Sequence, residues 1–302
     1  MRSAFINSLL KKADENTFLM VGDLGYSVIE QYVGQRPEQF LNAGIAEQNM
    51  TGMAAGMAME GFKVFTYSIA NFNTIRCLEQ IRNDICYHNL DVTIVSVGGG
   101  LTYGSAGYSH HAVQDIALLG SLPNMTLLLP GDPVEVEYCM EYIFNKKGPK
   151  YLRIGKNGEP RIHENVRDIS NITKIKSTND NKRALITTSN TLHKAIEVCE
   201  LLLKDGIAVD LFSVSVIDRN FGKELNRQLS KYQKIFTIEE HIDEFGFGSL
   251  VKSRLEGINI QSFGLKKDLC KVVGSQSYLC GEHGLTTNNI KKEIFELVRK
   301  NK

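Results

Sequence analysis

The sequence predicts an α/β protein of two domains, each a mostly parallel sheet with helices on both faces. Three observations predict it. Short apolar runs such as "TFLMVGDLG" (17–25), "VTIVSVGGG" (92–100) and "MTLLLPGDP" (125–133) end in glycine or proline, the pattern of strands buried on both faces. Segments with apolar residues three to four apart alternate with these runs. A polar, turn-rich stretch then interrupts the alternation, giving a first domain over 1–160, a linker over 161–182 and a second domain over 183–302.

The elements follow in order. Phe5, Ile6, Leu9 and Leu10 make an amphipathic first helix, and Asn7, Ser8 and Lys11 break its apolar run too early for a signal peptide. After the 17–21 strand, residues 46–60 read as a helix rich in small side chains, and "KVFTYSI" (63–69) reads as a strand. "TIRCLEQIRNDICYHN" (74–89) reads as a helix with Ile75, Leu78, Ile81 and Ile85 on one face. The linker holds "NITKIK" (171–176), which admits a short strand. In the second domain "RALITTSN" is a strand. "TLHKAIEVCELLLKDG" is a helix with Leu192, Ala195, Ile196, Cys199 and Leu203 at core spacing and Gly206 as its stop; "AVDLFSVSV" and "KIFTIEEH" continue the sheet.

Composition excludes some partners. The balance of 35 basic against 34 acidic side chains gives no electrostatic reason to expect nucleic acid or a membrane surface. No apolar stretch approaches the ~20 residues of a membrane span. Six cysteines form no C-x-x-C pair, so reduced thiols in a cytoplasmic protein are expected. Small-molecule and protein partners are favoured.

One acid stands out. In "NAGIAEQNMTGMAAGMAMEG" (42–61), Glu47 heads a run of Gly, Ala and Met that suits close helix packing, as at a subunit interface. A buried carboxylate costs several kcal/mol unless it is paired or shares its proton. Burial favours its neutral form, the condition a proton-sharing group needs.

This segment and its continuation through "LPNMTLLLPGDPVEV" resemble the pyrimidine-binding domain of thiamine diphosphate enzymes, transketolases and 1-deoxyxylulose-5-phosphate synthases in particular. The resemblance covers nearly the whole chain. It implies that Glu47 hydrogen-bonds N1′ of the cofactor's aminopyrimidine and promotes loss of the thiazolium C2 proton. Phe72, in "YSIANFNTIRCLEQIRND", is the best match for the aromatic that stacks on the pyrimidine, although a gapless alignment lands on Asn73. "GSAGYSHHAVQDIA" (104–117) resembles the substrate-facing loop of transketolases. There His110 matches the histidine that meets the donor's carbonyl oxygen, and His111 takes the place of a glutamine. Adjacent histidines diverge on helix or strand, so no metal site is expected at this pair. In "PKYLRIGKNG", Arg153 or Lys156 falls where transketolases bind the substrate phosphate. "IEEHIDEFGFGSLV" and "GEHGLT" resemble the family's C-terminal domain, with Glu240 and His241 expected in structural or interface roles.

Departures and absences shape the expectation. Ala106 stands where transketolases place an aspartate on a donor hydroxyl, and Gly98 where many carry a further histidine, so donor selectivity does not transfer. The family's G-D-G segment with a following asparagine, which binds the diphosphate through Mg2+, is missing. "VGDLG" (21–25) lacks downstream metal ligands, and "VGGGLTYG" (97–104) lacks dinucleotide-loop spacing. The resemblance therefore implies the C-terminal subunit of a split transketolase. Such a subunit would work with a separate N-terminal subunit that holds Mg2+ and diphosphate, as a heterotetramer of two of each, moving a two-carbon ketol unit from a phosphorylated ketose to an aldose. The alternatives are the β-type subunit of a 2-oxo acid dehydrogenase and a non-catalytic partner that keeps the fold.

Overall fold

The computed structural model of the chain describes residues 1–156, 158–178, 182–267 and 271–300; Cys270 lies outside them. Among the described residues twelve strands form two sheets. They are β1 (Thr17–Val21), β2 (Phe40–Asn42), β3 (Lys63–Ile69), β4 (Val92–Val97), β5 (Thr126–Leu128), β6 (Lys150–Ile154), β7 (Ile172–Lys176), β8 (Arg183–Thr188), β9 (Asp210–Val214), β10 (Val216–Ile217), β11 (Lys234–Ile242) and β12 (Asn259–Leu265). The first sheet has the order β10-β5-β6-β4-β3-β1-β2 and the second β12-β11-β8-β9-β7. Pairing is parallel throughout except at β7 and β10.

The apolar runs become strands because helices cover both faces, so every residue of β4, β6 and β9 is buried. Alternation then sorts the side chains. Leu19, Phe65, Tyr67, Val95 and Leu152 face the helices Arg2–Lys12 and Pro133–Asn145, where Phe5 stacks 5.8 Å from Tyr67. Met20, Val64, Ile94 and Tyr151 face the other way, into a core that runs on without interruption to Ile186, Phe212 and Ile235 of the second sheet. The two halves therefore share one hydrophobic core.

Two expectations need correction. Residues 172–176 of the expected linker are β7, antiparallel to β9 and part of the second sheet. The 74–89 helix is not continuous. A 3-10 turn at Ile75–Cys77, one α-turn at Leu78–Gln80 and a π-turn at Ile81–Cys86 replace it, because Thr74 leaves helical geometry and its hydroxyl bonds back to the Ala70 carbonyl at 2.6 Å. The break exposes Ile75 and swings Arg76 towards Glu47.

At the seam, Arg153 of β6 is 1% exposed. Its Nε donates to Asp115 at 2.7 Å and its Nη1 to Ser189 Oγ at 3.0 Å, while Nη2 donates to the carbonyls of Ala112 and Glu240 at 3.1 Å each. Tyr151 adds a hydroxyl to the same Asp115 oxygen. Glu240, also buried, accepts from Leu101 N, Asn190 and Gln276. The Glu240 carboxylate thus fastens the second sheet to the loop after β4.

Two measurements follow from these buried charges. Arg153→Ala leaves Asp115 buried without its counter-charge, so it should cost about 3–5 kcal/mol in urea unfolding, with a much smaller loss when Asp115→Asn is added. Asp210 is the second. Burial alone would raise its carboxyl, but bonds from Lys174, Tyr232 and Thr178 outweigh burial and hold it down at about 2. The folded value lies below the unfolded one, so the stability Asp210 confers is present above pH ~4 and is lost as pH falls towards 2. Unfolding followed over that window should show a shallower acid limb in Asp210→Asn than in the parent.

Candidate active site

In the first sheet, β1 is followed by β2 on one side and β3 on the other, and sites of α/β proteins gather at the carboxyl ends of strands where the order reverses. Gly22 after β1, Ser68 and Ile69 at the end of β3, and Gly98 after β4 all lie there. Glu47 opens the Glu47–Met59 helix that returns from β2 to β3. The side chain is 2% exposed, and a carboxylate suits the first turn of a helix. Gly22 packs closely beside it, since a Cβ there would sit 3.3 Å from Glu47 Cγ and 3.2 Å from Ser68 Oγ.

Glu47 has few partners. Ser68 Oγ lies 3.5 Å from Oε1, a weak contact, whereas Arg76 Nη1 lies 2.7 Å from Oε2. Arg76 itself is 42% exposed and its guanidinium lies 4.3 Å over the centre of the Phe72 ring. Phe72 meets His110 edge to face at 5.0 Å, Tyr103 meets His110 at 6.4 Å, and Lys156 Nζ stands 5.2 Å over Tyr103. Glu47, Arg76, Phe72, His110, Tyr103 and Lys156 therefore form one unbroken line of contacts across the strand ends.

The loop carrying His110 is held in place by Asn71, whose amide donates to the carbonyls of Ser109 and His111 at 2.9 and 3.0 Å. Ser109 Oγ lies 3.0 Å from His110 Nδ1. With the serine donating, the neutral ring carries its proton on Nε2, free to donate to a ligand oxygen.

The structure separates the expected residues. Glu47, Phe72, His110 and Lys156 come together. Asn73 does not compete with Phe72, because it is fully buried with its amide on the carbonyls of Thr66 and Val95. His111 is 1% exposed with Nε2 directed at the Gly104 carbonyl, so it braces the loop from beneath and presents no ring nitrogen outward. Arg153 has its guanidinium committed at the seam, whereas Lys156 stands exposed beyond the end of β6. Glu240 and His241 lie in the seam as structural residues.

Arg76, Tyr103, Ser68 and Asn71 were not legible as site residues. Tyr103 explains one departure, since Gly98 sits at φ +84° and any side chain there would overlap the Tyr103 ring. The ring fills the space a larger residue at Gly98 would need. For Arg76 the one available signal was its position four residues after Phe72, the spacing at which a cation covers an aromatic face. No group of three His, Cys, Asp or Glu side chains suited to a metal occurs among the described residues.

Comparison with known proteins bears on the family of the chain. Residues 3–159 match the family described as transketolase, pyrimidine binding domain, and residues 173–290 match transketolase, C-terminal domain. A protein of Methanocaldococcus jannaschii, provisionally named as a transketolase C-terminal section, is 32% identical over 99% of this chain and 96% of its own length. The B chain of the apulose-4-phosphate transketolase of Phocaeicola vulgatus is 29% identical over 99% of this chain and 97% of its own. A 1-deoxy-D-xylulose-5-phosphate synthase of Bacillus cereus is 31% identical over 96% of this chain but only 47% of its own length. A solved structure described as a split gene transketolase, inactive beta4 tetramer, superposes with a TM-score of 0.85 at 27% identity, covering 98% of this chain and 96% of that one. The chain belongs to the transketolase family, and it carries that family's pyrimidine-binding and C-terminal domains.

Proposed function

We propose that this chain is the pyrimidine-side subunit of a two-chain, thiamine diphosphate-dependent transketolase, which moves a two-carbon ketol unit from a phosphorylated ketose to an aldose. The observation that carries the reading is the pair of contacts made by Arg76. A flat, nitrogen-rich group donates to the buried Glu47 carboxylate while lying on the face of Phe72. An aminopyrimidine needs the same two things, an acid facing a ring nitrogen and an aromatic under its face, and a side chain as exposed as Arg76 can withdraw to admit it.

The cofactor supplies a carbanion sink. Glu47, shielded from water, holds and shares a proton at the pyrimidine nitrogen. Phe72 fixes the ring plane. His110 donates through Nε2 to the donor sugar's carbonyl oxygen. Lys156, exposed at the end of the line, meets the sugar phosphate as a mobile cation. Mg2+ and the diphosphate belong to a partner N-terminal subunit in an assembly of two of each chain. The relatives named as a C-terminal section, as one chain of a lettered set and as a split-gene product support that division. The exposed side of the Glu47–Met59 helix supports it too: Asn49, Gly52, Met53 and Gly56 face outward, with Ile45 exposed just before them, and nothing among the described residues covers the two glycines. Five buried free cysteines and the lack of any described helix able to cross a membrane suit work in the cytoplasm.

The test is assembly followed by turnover. Capture of this chain from its own cells should bring down a partner bearing the G-D-G diphosphate motif, and the reconstituted pair should transfer ketol units between free sugars. In that pair Glu47→Gln keeps the shape of the side chain but not its proton, and the rate should fall by ~10²–10⁴ with assembly intact. A near-normal rate would remove Glu47 from the mechanism. The adjacent histidines should behave oppositely. His110→Ala should lower turnover while leaving stability within ~0.5 kcal/mol, whereas His111→Ala should lose ~1–3 kcal/mol in denaturant unfolding.

A further inference from the structure

A cleft of about 740 Å3 opens between the two halves, at the opposite end of the first sheet from Glu47. The active-site groups sit after the carboxyl ends of β1, β3, β4 and β6. The cleft instead takes in Thr126, where β5 begins, and Lys146 and Lys147, which precede β6. Parallel strands put these two ends a full strand length apart, so the cleft is no extension of the Glu47 site.

Its charge is one-sided. Lys146, Lys147, Arg219, Lys223 and Arg254 line it, all exposed, and none makes an ion pair among the described residues. The single lining acid, Asp218, already accepts from Tyr142 Oη at 3.0 Å and from Asn220 N at 2.8 Å. The chain as a whole has a formal charge of only +1, so five cations against one acid in one cleft is not a consequence of composition. Lysines after a helix complement its dipole, which accounts for Lys146 and Lys147 behind the Pro133–Asn145 helix. It does not account for Arg219, Lys223 and Arg254, which the second half brings to the same opening. Like charges gathered in a concave, partly apolar space repel one another, and a bound anion relieves that repulsion. Leu127, Phe221 and Leu250 supply apolar wall for an organic body.

We propose that this cleft binds a small organic molecule carrying two or more phosphate groups. Arg219 and Arg254 offer bidentate forks and the lysines offer point charges. The volume falls in the ~300–1,000 Å3 range of small-molecule sites. Because the two walls belong to different halves, the ligand also bridges them.

The experiment is calorimetric titration of the full chain with ATP and, separately, inorganic pyrophosphate, both free of metal and at low salt. ATP should bind at one saturable site with Kd below ~1 mM, and Arg219→Glu with Arg254→Glu should weaken it about tenfold or more. A further titration with ADP, which matches pyrophosphate in phosphate number, tests the wall: tighter binding of ADP than of pyrophosphate would show that the apolar wall contributes. Should the double variant fail to fold, Lys147→Gln on its exposed helix end repeats the test with a smaller loss. No saturable heat up to ~10 mM, or equal affinity in parent and variants, would overturn the proposal. The readout is binding to this chain alone, so its failure is distinct from failure of the transketolase reading.

Discussion

A single guanidinium joins the sheet, the seam and the active-site loop. Arg153 reaches out of β6 at a point where water is excluded, and the arrangement that satisfies it draws Asp115 and the Ala112 carbonyl from one half and Ser189 and the Glu240 carbonyl from the other. Removing an arginine from water is tolerable only when its donors are used and its charge is met. The halves therefore cannot shift relative to each other without stranding it. Gly99 passes directly over the side chain, where no Cβ would fit, so the loop that leads to His110 takes its course from the same residue.

The line of candidate site residues is held by that frame but remains unfinished by it. Glu47 is buried, and the exposed Arg76 covers it from without, backed by Phe72 and then His110. The distribution suits a site whose other wall is a different polypeptide. Chemistry that needs a dry carboxylate and an accessible cofactor at once is easiest to assemble where two chains meet, since neither alone must fold around a charged ligand.

Much of this was legible in the sequence, for identifiable reasons. Strands buried on both faces are written as unbroken apolar runs, and helices as three-to-four spacing, so the α/β alternation could be read directly. Glu47 stood out because an acid among glycines and alanines has no packing rationale. Residues whose roles depend on distant partners were less visible. Arg153 was read as a candidate for a substrate phosphate, although its place between Leu152 and Ile154 in a doubly buried strand was a sign of burial; its partner Asp115 lies far away in sequence. His110 and His111 were both read as facing the substrate, but the 3-10 turns of the loop turn one ring outward and the other under Gly104. Arg76 lay unremarked in a segment read as one continuous helix, which Thr74 interrupts.

The small strand β10 has a consequence in time as well as space. It comes from the second half, yet it pairs antiparallel with β5 and forms the border of the first sheet. During synthesis the first half can assemble its parallel strands, but β5 must wait roughly 60 residues more, some 3–12 s at ribosomal rates of ~5–20 residues per second, before its edge is capped. An open strand edge invites pairing with any neighbouring chain. Cutting the polypeptide between its two halves would make that interval permanent and would also divide their common core. If evolution or an engineer is to distribute such an enzyme over two genes, the boundary between these halves is the wrong place to cut.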